Sequence, residues 1–284
     1  MNLLKSLILL TVGFAISYVA KSADTLYINS GIYTAVDGNT FPTWSFNSDT
    51  TYQANNVQLY KAVGESIDVV LINNDSLVHG IKVQSTAICD TLSPSDTVSF
   101  SISFSAEGGY LFYDHIQYPT GIRMGLSGVV FVGNFDHAFF WNIKEHQSVW
   151  NDSLIQNTSA SLMDYYPDYF LINGNSNPDI NQDSVAKVIG DVGDTIRIYI
   201  ANTGRSIHSL HFHGYHLKII ASSRNSNEIG WNKDTFAVYP MESMILELVP
   251  DKPGEYPVHD HNLVAVTGGG MYPSGMFITL LISE

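Results

Sequence analysis

Short runs rich in Val, Ile, Phe and Tyr recur along the chain with turn formers between them, at Val57 to Tyr60, Ile67 to Ile72, Gly80 to Val83, Thr97 to Phe104, Tyr110 to Tyr113 and Gly128 to Val132. Asn73-Asn74-Asp75 and Gly108-Gly109 punctuate them, and no amphipathic helical stretch stands out in this half. The pattern resumes at Phe170 to Ile172, Val185 to Ile189, Thr195 to Ala201, Leu217 to Ile220, Thr235 to Val238, Met244 to Val249 and Met276 to Ile282. Regularly spaced short strands bury their apolar faces in sandwiches or barrels, so the chain is predicted to be all-β.

The halves echo each other in order. Val63-Gly64-Glu65, a strand, Asn73-Asn74 and His79-Gly80 are matched by Val192-Gly193-Asp194, a strand, Ala201-Asn202 and His213-Gly214. Gly109-Tyr110 leading to Asp114-His115 is matched by Gly254-Glu255-Tyr256 leading to Asp260-His261. A duplicated unit of about 110 residues explains this order. The division expected is 1–23 as a signal peptide, 24–135 and 166–284 as the two units, and 136–165, where Trp141 and Trp150 stand among polar residues, as a linker.

Lys5, the apolar run from Leu7 to Ile16 and the small residues Ala20, Ser22 and Ala23 have the form of a secretory signal. That run is shorter than the ~18 residues a spanning helix needs, so a secreted or periplasmic protein without membrane insertion is expected. The single cysteine, Cys89, excludes an intramolecular disulfide framework. A net charge of -14, with only 13 Lys plus Arg, argues against nucleic acid as a partner. Three tripeptides, beginning at Asn74, Asn151 and Asn157, match the glycosylation acceptor pattern, which is common by chance.

Six of the 10 histidines lie in two short runs, His208-Ser209-Leu210-His211-Phe212-His213 with His216 just beyond, and His259-Asp260-His261. Side chains alternate faces along a strand, so His211 with His213, and His259 with His261, project to one side. Two such strands side by side present four imidazoles to one point. Neutral imidazole suits copper, zinc, iron or nickel, and a metal centre is the chemistry this pattern favours.

His208-x-x-His211-x-His213-Gly214 resembles the second-domain copper motif of the two-domain multicopper oxidase and copper nitrite reductase superfamily. His259-Asp260-His261 is similar to its His-Cys-His motif. Tyr113-Asp114-His115, followed by Gly121-Ile122-Arg123-Met124-Gly125-Leu126, is similar to a first-domain motif of small laccases. The resemblance covers roughly residues 55 to 282 and implies two tandem cupredoxin-like Greek-key β-sandwich domains. It implies copper held by His79, His115, His211, His213, His259 and His261, with Asp114 a candidate proton donor beside bound oxygen. It also implies a homotrimer with the site completed between subunits, and a small-molecule substrate or dioxygen as reaction partner.

The departures are specific. Asp260 and Asp114 stand where the blue, type 1 copper would need its thiolate, Ala265 replaces a further histidine, and Leu77 and Tyr113 stand in for the partners of His79 and His115. Without a cysteine in either motif no blue centre can form. Asp260 is expected to orient His208 as a hydrogen-bond acceptor. The function expected is an exported copper-dependent oxidoreductase with a histidine-only cluster. The alternatives are a non-enzymatic copper-binding or copper-sequestering envelope protein and, on donor chemistry, a zinc site.

Overall fold

The computed structural model describes residues 23–155 and 164–284. The signal-peptide reading of the N-terminus and the acceptor tripeptide Asn157-Thr158-Ser159 lie outside the described residues.

Nine strands build a first sandwich: β1 (Asp24–Thr34), β2 (Thr40–Asn47), β3 (Gln58–Lys61), β4 (Ile67–Asn73), β5 (His79–Val83), β6 (Cys89–Leu92), β7 (Thr97–Ile102), β8 (Gly108–Tyr113) and β9 (Ser127–Val132). A short helix, α1 (Thr120–Arg123), precedes β9, and α2 (Ser148–Ile155) follows β10 (Ala138–His146). With β10, the strands β11 (Tyr169–Ile172), β12 (Ile189–Asp191), β13 (Ile196–Asn202), β14 (His208–Phe212), β15 (Leu217–Ser222), β16 (Asn232–Lys233), β17 (Thr235–Val238), β18 (Ser243–Leu248), β19 (Gly254–Asp260) and β20 (Phe277–Ser283) build the second.

The two sandwiches repeat one topology. The sheet ordered β2-β1-β4-β7 recurs as β11-β10-β13-β18, extended by β15 and β16, and the sheet ordered β3-β9-β8-β5-β6 recurs as β12-β20-β19-β14-β17. The stretch expected to be a linker therefore supplies β10, the counterpart of β1: each pairs in parallel with the strand that follows it in the sheet. Its residues are buried from Phe140 to His146, so no alternation marks it in the sequence. β1 and β2 also went unread, and β2 is likewise covered on both sides along most of its length.

β4 shows why these segments are strands. Ile67, Val69 and Leu71 fill the first core while the intervening side chains face outward, the period-2 pattern of a half-covered sheet. β13 loses that alternation because its second face is covered too. Tyr199 and Ala201 on β13 and Ile245 on β18 pack against Leu111, Val129 and Phe131 of the first sandwich. Burying each large side chain in such a contact contributes roughly 1.5–3 kcal/mol, so the halves are joined by a core of their own. Polar cross-links complete the joint, with Ser127 Oγ donating to Thr203 O at 2.7 Å and Ser243 Oγ to Gly109 O at 2.6 Å.

Candidate metal centre

β14 and β19 lie side by side and antiparallel, with His211 opposite His259. Alternation then places His211, His213, His259 and His261 together on the outer face of the second sandwich, while Leu210, Phe212 and Val258 enter its core. The ring centroids of His211 lie 4.6 Å from His213, 5.8 Å from His259 and 5.8 Å from His261. Nε2 of His213 stands 2.9 Å from Nε2 of His259.

The remaining nitrogens of two rings are committed. Thr235 Oγ1 donates to Asp234 Oδ1, so it accepts from His211 Nδ1 at 2.9 Å. His259 Nδ1 donates to the carbonyl of Asp260 at 2.9 Å. Both hydrogen bonds fix the Nδ1–H tautomer and leave the Nε2 lone pair directed outward, the arrangement that prepares an imidazole for a metal. Burial and the neighbouring rings of His211 and His259 lower the pKa of His213, which favours its neutral form, the form that binds a metal.

Two nitrogens bound about 2.0–2.1 Å from one ion lie about 2.8–3.4 Å apart for arrangements between right-angled and tetrahedral, and the His213–His259 spacing falls inside that interval. The donor set therefore fits a borderline-soft ion. Among the described residues, however, no group of three His, Cys, Asp or Glu side chains closes on a point as it stands. The four histidines form an open face and not a closed cage.

His79 does not join them. Register identifies its counterpart as His208 and not His213: Lys82 faces Tyr113 across β5 and β8 as His211 faces His259 across β14 and β19. The positions of His211, His213, His259 and His261 are held in the first sandwich by Lys82, Gln84, Tyr113 and His115. The histidines absent from the first domain are thus those replaced by Lys82, Gln84 and Tyr113, and Leu77 lies outside the motif. His115 is half-buried and keeps the place of His261.

His79 is fully buried, with Nδ1 2.6 Å from Asp114 Oδ2 and Nε2 3.5 Å from Asp75 Oδ1. Asp114 Oδ1 accepts the backbone N–H groups of Gly80, Ile116 and Gln117. Asp114, the candidate proton donor, is thereby a lock between β5 and the end of β8. His208 repeats this: its Nδ1 lies 2.7 Å from Asp260 Oδ2, and Asp260 Oδ1 accepts from Ser209 and Asn262 N–H. The expectation that Asp260 orients His208 is met.

In the second sandwich the outer carboxylate comes from Glu145 on β10, whose Oε2 lies 3.0 Å from His208 Nε2. The residue equivalent to Asp75 is Gly204, where an added Cβ would sit 2.1 Å from Glu145 Oε2. Glycine here admits the carboxylate that replaces the lost one. Burial by itself would lower the pKa of His208, but Asp260 and Glu145 outweigh it and raise it to about 9. Burial would raise that of Glu145, yet the His208 hydrogen bond and charge, with the N–H groups of Arg205 and Ser206, hold it down at about 2. In both locks the carboxylates flank opposite edges of one ring, so they cannot converge on one ion. Both positions expected of a blue centre are filled by carboxylate and imidazole alone.

Beside His213 and His259 runs a groove of about 290 Å³ lined also by Pro257, Leu263, Val266, Tyr272 and Phe277. A larger cleft of about 580 Å³, between Tyr33, Tyr52 and Asp179, contains no histidine. Cys89 is exposed on the edge strand β6, outside both motifs. No helix among the described residues is long and apolar enough to cross a membrane.

Residues 150–275 match a family model described as multicopper oxidase. No curated protein is significantly similar in sequence. Among solved structures the chain is similar to a blue copper oxidase from Nitrosomonas europaea, at 19% identity and a TM-score of 0.77 over 91% of this chain and 85% of that one. It is also similar to the copper nitrite reductase from Nitrosomonas europaea, at 16% identity and a TM-score of 0.70 over 92% of this chain and 93% of that one. A multicopper oxidase, mgLAC, aligns at 19% identity with a TM-score of 0.76 over 91% and 85% of the two chains. The fold of this chain is the one these solved structures share, two cupredoxin-like β-sandwich domains in tandem.

Proposed function

We propose that the chain is an exported copper protein of the multicopper oxidase type, lacking a blue centre and acting as an oxidoreductase on dioxygen or a small oxidisable molecule. The observation that carries this reading is the convergence of His211, His213, His259 and His261, with Nε2 of His211 and His259 freed by hydrogen bonds at Nδ1. The multicopper oxidase match over 150–275, which contains all four, selects copper over zinc. Export rests on the signal-like N-terminal sequence.

Bound copper would supply one-electron redox chemistry. The protein's part is to hold the four imidazoles on one face, His211 and His259 as Nδ1–H tautomers, and to limit what reaches them. The apolar groove opens on His213 and His259 and has no Lys, Arg, Asp or Glu in its lining, so a small uncharged reductant fits it better than a bulky or charged one. Because the four histidines do not close a site alone, the reading includes a head-to-tail homotrimer in which His115 of a neighbouring copy approaches them. Exposed Leu77, Val78, Ile116 and Tyr118 near His115, and Leu263, Val264, Met271 and Tyr272 near the second-domain set, are apolar surfaces such an assembly would cover.

Sequestration without turnover is the second reading, favoured by aspartate at both thiolate positions. Oxygen uptake with hydroxylamine, a small reductant mostly uncharged at neutral pH, separates the two. Copper-loaded wild type should consume oxygen faster than free copper at equal concentration and faster than His213→Ala. Uptake equal to free copper in both proteins leaves sequestration.

A further inference from the structure

We infer that Asp260, His208 and Glu145 form a metal-free lock that positions His259 and His261 for their ion, with Glu145, on β10, as its outer member. The inference rests on the copper reading.

Asp260 reaches both ligand histidines. Its carbonyl takes the Nδ1–H of His259, and its Oδ1 takes the N–H groups of Ser209 and of Asn262, which flanks His261. Ser209 in turn accepts the N–H of His261 at 2.7 Å. The end of β19 is thus tied to β14 through one carboxylate, and that carboxylate is held by His208 Nδ1 at 2.7 Å. Glu145 fixes the far edge of the His208 ring and is itself held by the Arg205 and Ser206 N–H groups at 2.7 and 2.8 Å. Every member is buried, so a shift of any one leaves a polar atom without a partner.

The first sandwich supplies an internal control. Asp75, His79 and Asp114 make a corresponding lock, looser at its outer edge where His79 Nε2 stands 3.5 Å from Asp75 without a hydrogen bond, and the strand positions it serves carry Lys82 and Tyr113 in place of two histidines. A purely structural role predicts equal consequences from breaking either lock. A positioning role predicts that the second, which serves four histidines, affects the metal more than the first, which serves only His115.

The test compares Asp260→Asn, Glu145→Gln and Asp75→Asn in the full chain. Copper affinity is measured by calorimetry against a competing chelator, alongside melting temperature and, in copper-free protein, the His259 Nδ1–H signal by NMR. Asp260→Asn and Glu145→Gln should each weaken copper binding about 10–100-fold, the usual effect of removing a group that orients a ligand. Asp75→Asn should lower the melting temperature and weaken copper binding less than either, since the lock it belongs to serves only His115. The lock is overturned if Glu145→Gln and Asp260→Asn bind copper like wild type, or lose no more affinity than Asp75→Asn. Should wild type bind no copper, the copper reading falls, and the His259 signal still decides: sharp in wild type and broadened in both variants supports the lock, unchanged contradicts it.

Discussion

His79 and His208 are the same residue of a duplicated unit: each is buried, and each points Nδ1 at an aspartate Oδ2, 2.6 Å away in Asp114 and 2.7 Å away in Asp260. This equivalence reassigns the first-domain histidine from the metal to the framework. In both sandwiches the position expected of a thiolate carries an aspartate paired with that buried imidazole.

Removing the ring should therefore be a stability lesion. In His79→Ala two buried carboxylates lose their shared partner, and breaking a buried ionic pair by deleting one member costs about 3–5 kcal/mol. Chemical denaturation should show a loss of that order, whereas His211→Ala, at a half-exposed site, should cost far less. Equal losses would mean that His79 is not held as described.

The charge on His208 gives a pH dependence with a definite sign. Its folded pKa, about 9, lies above the ordinary 6.5, so its stabilisation is complete below pH 6.5 and is lost as pH rises through 9. Two and a half pH units correspond to about 3 kcal/mol. Lys144 acts oppositely: it is buried, donates to Gly125 O and Ser127 O, and burial lowers its pKa to about 7. Denaturation of Lys144→Met between pH 6.5 and 9.5 should display the fall undiluted. A flat profile in that variant would show His208 to be neutral.

No thiolate charge-transfer absorption should appear in the copper-loaded protein, since Cys89 is exposed on β6 opposite Lys82, in the sandwich without the four-histidine face. Cys89→Ser should leave the visible spectrum and the copper content unchanged. An intense blue band lost in that variant would make Cys89 a ligand.

Light scattering of the mature protein should give three chains per particle, with copper occupancy falling on dilution into monomers. A monomer carrying its full copper complement would show that one chain closes the site by rotating its own side chains.

Much of this was legible in the sequence. Strand alternation in β4, and the pairs around Phe212 and Asp260, fixed the fold class and the four-histidine face, because period 2 survives wherever one face of a strand is open. β10 escaped notice because both its faces are covered and Lys144, Glu145 and His146 read as surface residues although all three are buried. Glu145 was invisible for the same reason: nothing in its neighbourhood announces a partner in His208, 63 residues away. The alignment of His79 with His213 followed the shared His-Gly dipeptide, and strand register, which a dipeptide does not carry, moved it to His208.

The most direct measurement is a copper titration of the metal-free protein beside His213→Ala/His259→Ala, read by bound copper per chain and by electron paramagnetic resonance. The account predicts tight binding in wild type, with nitrogen hyperfine structure from imidazoles and no blue-copper signature, and a sharp loss of bound copper in the double variant. Equal copper in both proteins, or a thiolate-type signal in wild type, would contradict it.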